Sequence, residues 1–197
     1  MPAKRPATRL AQLKEEDLNT AQQALLESLR AGPRGKSLTL RGPFAAWMHA
    51  PEFGQLAQAL GAHARYKTAL EPRLSEFAIL CTARFWKAQY EWFAHGPMAL
   101  KAGVKPKVIE DLRKGRAPPT SAPKDERAIY AFVQELYKTR RVSNQTYKRV
   151  RAFLNDAAMV ELVGILGYYT LISMTLNVFH MLPPEGEKLP FAEPQAK

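Results

Sequence analysis

Two carboxylates, an imidazole and a phenol fall within twenty residues of one largely apolar run: Glu76, Tyr90, Glu91 and His95. Glu91 and His95 are an i, i+4 pair, which a helix places on one face. If the run from Arg73 to His95 is one helix, Glu76 lies roughly 60° from Glu91 around the axis, with Tyr90 a similar angle beyond Glu76 on the other side. Such a stripe, buried among apolar neighbours, is where desolvation and neighbouring charges move pKa values into the range that general acid and base chemistry needs. The same spacing also fits an ordinary surface pair worth a few tenths of a kcal/mol, with Glu76 near a helix start for macrodipole reasons.

Other chemistries are less well served. A Glu-x-x-x-His pair can hold a metal, but the third ligand would have to be His49, His63 or His180, and no spacing singles one out, so no metal and no cofactor is expected. The chain has one cysteine, Cys81, which reads as a small buried hydrophobe and leaves no partner for an internal disulfide.

The elements that must position these groups are helical throughout. Thr20 to Arg30 reads as a short helix ended by Gly32-Pro33, and Pro43 to Ala50 as a short apolar turn. Pro51 suits the first position of a helix to about Tyr66, with Leu56, Leu60 and His63 on one face. Arg73 to His95 reads as one long buried helix stopped by Gly96-Pro97, followed by short helices at Met98 to Ala102 and Pro106 to Lys114. After the proline-bearing loop Gly115 to Pro123, Lys124 to Arg140 is amphipathic, Ser143 can cap a helix to Phe153, and Asn155 or Asp156 can cap a last one ending near Met181. No segment alternates with period two, so the fold class is all-α. Glu76 and His95 are nineteen residues apart, as are Glu161 and His180, which points to a degenerate helical repeat. The expected organisation is an N-terminal extension over 1–41 with a disordered start, a helical domain over 42–183, and a flexible tail over 184–197.

Leu162 to Phe179 is 18 residues without a charge, the minimum for a membrane span. Gly164, Gly167, Tyr168, Tyr169, Thr170, Ser173, Thr175 and Asn177 make it only moderately apolar, so it reads as a buried helix at a subunit interface, and no membrane partner is expected. No apolar signal core follows the basic N-terminus, and a single cysteine suits a reducing compartment, so the expected location is cytoplasmic. A formal charge of +11 favours anionic partners. Six of those cations, Lys138, Arg140, Arg141, Lys148, Arg149 and Arg151, fall in fourteen residues with Tyr137 and Tyr147 interleaved. A solvated helical hairpin accounts for them, and no helix-turn-helix, zinc or RNA-binding signature makes a nucleic-acid case.

The run LSEFAILCTARFWKAQYEWFAHGPMALKAGV, Leu74 to Val104, resembles the core of carboxymuconolactone decarboxylase-like and AhpD-like proteins: a Glu, then Tyr-Glu-Trp, x-x-His, and Ala-x-x-x-Gly-Val. Arg41-Gly42-Pro43-Phe44 upstream, with Arg141-Val142-Ser143 and Val160 to Gly164 through Phe179 downstream, extends the likeness to roughly Gly42 to Pro183. The resemblance implies an AhpD-like helical bundle, assembly as trimers or hexamers, and a proton-relay site whose glutamate is matched by Glu76 and whose histidine is matched by His95. The peroxidase branch carries a Cys-x-x-Cys pair before that histidine, and here those positions hold Ala88 and Glu91. Without a peroxidatic and a resolving thiol the sequence resembles the decarboxylase branch, whose substrate is a carboxylated lactone. On that reading His95 is the acid or base, Glu76 and Glu91 orient and tune it, and Tyr90 hydrogen-bonds the oxyanion. Arg65, Arg73, Arg84 and Lys87 are the candidate cations for the substrate, with Arg84 preferred and Trp92 beside it as a binding residue. An alkylhydroperoxidase-type antioxidant, a basic nucleic-acid binder and a non-catalytic oligomer are the competing classes.

Overall fold

The computed structural model describes residues 5–36 and 38–192 of the chain, which form nine α-helices and, among the described residues, no strand. They are α1 (Thr20–Ala31), α2 (Pro43–Trp47), α3 (Pro51–Tyr66), α4 (Pro72–Trp86), α5 (Gln89–Lys101), α6 (Pro106–Arg113), α7 (Lys124–Thr139), α8 (Asn144–Arg151) and α9 (Asp156–Val178), with one 3-10 turn at Glu15–Asp17. Their starts follow local chemistry. Proline occupies the first turn of α2, α3, α4 and α6, where its missing N–H costs nothing. Asn19 caps α1 in a reciprocal box with Gln22, Ser143 caps α8 and Asn155 caps α9.

The centre of the molecule is α4 packed on α9, flanked by α5, α7 and α3. Phe77, Ile79 and Leu80 from α4 and Leu162, Ile165, Leu166 and Leu176 from α9 are essentially inaccessible. This explains why α9 is apolar around its circumference: it is a core helix on one side. The other side is not covered. Val160, Val163, Met174 and Val178 are between 42 and 72% exposed, and Leu56 and Leu60 of α3 add 75 and 51%.

The main departure from the sequence reading is that Arg73 to His95 is two helices. α4 ends after Trp86 with Lys87 in the left-handed region (φ 50°). The Ala88 N–H then donates to the Ala83 carbonyl at 2.9 Å and the Lys87 N–H to that of Arg84 at 3.2 Å, a Schellman end without its usual glycine. Gly96-Pro97, expected to stop the helix, lies inside α5. Glycine at 96 has no Cβ to clash with the proline ring, so the helix loses one hydrogen bond and continues to Lys101.

The termini also differ from expectation. Residues 1–4 and 193–197 lie outside the described residues, but the adjoining segments are tied to the fold. The Arg5 guanidinium donates to the carbonyls of Pro183 (3.1 Å) and Pro184 (2.9 Å), and the Arg9 amide to that of Phe179 (3.1 Å). Phe191, placed in the expected flexible tail, is buried against Trp92 with ring centroids 5.2 Å apart, and its amide and carbonyl both bond the Gln89 side chain. The suggested repeat has no counterpart in the side-chain pairing: Glu161 binds the Ala69 amide at 2.6 Å and His63 at 3.4 Å, while His180 bonds the Ala7 carbonyl.

Candidate active site

The break at Lys87-Ala88 builds the site. On one straight helix, nineteen residues would hold Glu76 and His95 about 28 Å apart along the axis. Folding α5 back against α4 brings Glu76 Oε2 to 2.7 Å from His95 Nδ1. The i, i+4 pair within α5 supplies the other contact, Glu91 Oε1 at 3.0 Å from His95 Nε2. The imidazole is thus held at both nitrogens by carboxylates, and its ring meets Tyr169 edge to face at 5.1 Å. His95 and Glu91 are each 4% exposed.

Burial by itself would pull the His95 pKa down, but the charge of Glu91 and the hydrogen bonds that the ring donates to Glu76 and Glu91 outweigh it and push it up to about 9. At neutral pH the ring is therefore an imidazolium donating to both carboxylates, with no lone pair free for a metal. His49, His63 and His180 are engaged elsewhere, with Ala11, Glu161 and Ala7 respectively.

Glu91 and His95 open onto a cavity of about 190 Å³. Tyr90, Tyr168 and Tyr169 line it, and so do two guanidinium groups, Arg34 and Arg65. Arg34 lies over the Phe44 ring at 5.1 Å and bonds Gln58, and its buried Nε has no hydrogen-bond partner among the described residues. Arg65 stacks on Tyr66 at 5.0 Å and contacts the Met98 sulfur. Neither forms an ion pair among the described residues, so two cations face the cavity without a carboxylate partner. Gly61 makes room for the Tyr168 hydroxyl, which lies only 1.9 Å from where a Cβ would stand. Burial and Glu91 push the Tyr90 phenol up, with Arg41 pulling partly back, so its hydroxyl stays a donor.

The structure brings together Glu76, Tyr90, Glu91 and His95, with Glu76 behind the ring and the other three on the cavity. It does not bring Arg84 or Trp92 there. Arg84 Nε donates to the Arg113 carbonyl at 3.1 Å and its guanidinium lies over Phe191, so it braces the α4–α6 contact. The angular argument that favoured it assumed a continuous helix. Trp92 faces away from the cavity into the core beside Phe191. Arg73 is held by Asp125 at 2.7 Å and Glu126 at 2.8 Å, a structural network. Of the candidate cations only Arg65 reaches the site. Arg34 was missed because it lies outside the resemblance, in a loop with no periodicity to orient it. Cys81 is 1% exposed, and burial together with Glu126 keeps its thiol well above the ordinary range, so it is poorly suited to form a thiolate. The six clustered cations around α8 are largely solvent-facing, and Arg151 pairs with Asp156 at 2.8 Å.

No protein-family model matches the chain, and no curated protein matches it in sequence. Solved structures do match. A peroxidase-related protein with an alkylhydroperoxidase AhpD core from Ralstonia eutropha JMP134 superposes with a TM-score of 0.75 at 17% identity, over 92% of this chain and 95% of that one. A peroxidase-related protein from Silicibacter sp. TM1040 gives 0.72 at 16% identity, over 93 and 94%. A protein of unknown function from Agrobacterium tumefaciens, proposed to be the antioxidant defence protein AhpD, gives 0.63 at 18%, over 71 and 97%. The chain therefore has the AhpD-like helical fold.

Proposed function

We propose that this protein is an acid/base enzyme of the carboxymuconolactone decarboxylase type, acting on a small carboxylated, lactone-type molecule. The observation that carries the reading is a buried imidazole held at both nitrogens by Glu76 and Glu91 on a cavity that also presents Arg34 and Arg65, neither of which forms an ion pair among the described residues. A carboxylated substrate supplies the charge those cations lack.

In decarboxylation the bond between carbon and carboxylate breaks, its electron pair passes into an enolate, and carbon dioxide leaves. The enolate oxygen then accepts a hydrogen bond from Tyr90, whose hydroxyl has no partner among the described residues, and charge stabilisation from Arg65. A proton must next be delivered to carbon. Glu91 borders the cavity beside His95 and holds its Nε2, so it passes the proton on and is recharged from His95 Nε2, while Glu76 fixes the ring through Nδ1. The names of the structural neighbours raise peroxide reduction as a second reading, but the lone cysteine, Cys81, is buried away from this cavity.

The test is a paired assay on the purified protein: carboxymuconolactone decarboxylation followed by ultraviolet absorbance, beside thiol-dependent peroxide reduction. The proposal expects decarboxylation that His95→Ala abolishes and Cys81→Ser spares. Peroxide reduction abolished by Cys81→Ser, with no decarboxylation, would overturn it.

A further inference from the structure

A second cleft, of about 620 Å³, opens between the start of α7 and the end of α8. Lys124, Arg127 and Ala128 line it from α7, and Arg149, Ala152 and Phe153 from α8 and the turn that follows. It shares no lining residue with the cavity at His95. Each wall repeats the spacing i, i+3, i+4, by which a helical turn sets three residues on one face. Charge distinguishes the cleft. Lys124, Arg127 and Arg149 form no ion pair among the described residues, and no carboxylate lines the space. The acids nearest in sequence are engaged elsewhere: Asp125 and Glu126 hold Arg73, and Asp156 holds Arg151. The Arg127 Nε donates to the Ala122 carbonyl at 3.2 Å, which anchors the guanidinium and leaves both terminal nitrogens without a hydrogen bond among the described residues. Phe153, 39% exposed, adds an apolar ring beside these cations. Of the six cations clustered in the sequence only Arg149 lines the cleft, because Lys148 and Arg151 stand roughly 100° and 160° away around α8.

We infer that this cleft binds a nucleoside diphosphate, with its phosphates among Lys124, Arg127 and Arg149 and its base against the Phe153 ring. Three like charges gathered on one surface repel each other, so the site gains most from a ligand that carries several negative charges. Each guanidinium can meet phosphate oxygens two at a time, and the ammonium adds a point charge. A terminal phosphate carries roughly two negative charges near pH 7 and a linking one about one more, so a diphosphate matches the three cations and a monophosphate or a single carboxylate does not. The volume lies within the range of sites for whole small ligands. Stacking on Phe153 is what separates a nucleotide from an inorganic anion here. The inference is independent of the proposed acid/base site.

Isothermal titration calorimetry on the full chain, at about 0.15 M salt to screen loose surface attraction, reads affinity for ADP, AMP and pyrophosphate. ADP is expected to bind about tenfold more tightly than AMP, the increment of one charge-assisted contact. Arg149→Gln and Lys124→Gln, both at exposed positions, should each weaken ADP about tenfold. Phe153→Leu should weaken ADP by about as much and leave pyrophosphate unchanged. Arg65→Gln, which alters the cavity at His95, should leave ADP binding as it is. Absence of ADP binding at millimolar concentration overturns the inference, and so does ADP affinity that survives Arg149→Gln and Lys124→Gln. Pyrophosphate that binds as tightly as ADP, with no effect of Phe153→Leu, reduces the cleft to a bare anion patch and overturns it too. An oligoadenylate that binds more tightly than ADP and depends on Lys148 and Arg151 would overturn it in favour of a nucleic-acid surface.

Discussion

Replacing Glu91 with glutamine should turn His95 from an imidazolium into a neutral imidazole at neutral pH. The substitution keeps the side chain's size but removes the largest influence that raises the His95 pKa and one of its two carboxylate partners. Burial, which acts in the opposite direction, is untouched. The value should therefore fall from about 9 to the ordinary 6.5 or below. The same shift is a stability term. Because the folded pKa lies above the unfolded one, the stabilisation is complete below about pH 6.5 and is lost as pH rises through about 9, at most about 3 kcal/mol in all. Nitrogen-resolved NMR of the imidazole rings from pH 5 to 10 gives the first quantity, with His95→Asn to assign the signal among the four histidines. Urea unfolding at pH 6.5 and 9.5 gives the second. A wild-type His95 that titrates near 6.5, or one whose titration does not move in Glu91→Gln, would refute the electrostatic account of the site.

Gly61→Ala should cost about 2 kcal/mol and lower Tm, because its Cβ would meet the Tyr168 hydroxyl at 1.9 Å; a Tm unchanged within a degree would show that Tyr168 swings away freely. Arg73→Met should destabilise by about 3 kcal/mol in urea unfolding at neutral pH, since Glu126 is fully buried and would lose the one cation that pairs with it among the described residues; an effect below about 1 kcal/mol would show that the pair adds little to the fold. The exposed apolar stripe of Val160, Val163, Met174 and Val178 with Leu56 and Leu60 is expected to be covered by further copies of the chain as a trimer or hexamer. Sedimentation should find that species in the wild type and a smaller one in a Val160→Asp, Val163→Asp variant, and a wild-type monomer would refute it.

Much of the fold is legible in the sequence because its boundaries are written in capping residues and prolines. Asn155 and Ser143 stand where the helices they cap begin, and Pro51 where its helix begins. The one boundary that matters most to the site carries no such mark. Lys87 takes a left-handed backbone that sequence reasoning assigns to glycine or asparagine, and Gly96-Pro97, a strong stop signal, is absorbed within α5. The continuous helix therefore groups four residues that the structure does bring together, but for an insufficient reason. Around a straight axis Glu76 and His95 share a stripe but cannot touch, and only the fold-back places them at 2.7 Å. Residues reached through spacing along that imagined helix, Arg84 above all, were consequently misplaced, whereas the Glu91–His95 pair depends on one turn of α5 and was not. Phe191 was illegible for another reason: a single aromatic in a polar tail has no period, and its docking on Trp92 is decided by tertiary contact alone.

The second carboxylate also explains why the cavity needs cations. Glu91 adds a buried negative charge beside Glu76, and such a pair is costly unless a proton is shared between them. His95 supplies that proton, which is why its pKa rises although it is buried. Counted with both carboxylates charged, the relay is left with one negative charge, and Arg34 and Arg65 over-compensate it by one. A neutral ligand would leave that excess in place, and a cation would increase it. A carboxylate held by the two arginines brings the cavity to neutrality, and in the proposed reaction carbon dioxide leaves uncharged, so the negative charge stays on the enolate and remains balanced by the same two arginines. The arrangement thus favours the charged intermediate at the step where the relay must deliver its proton.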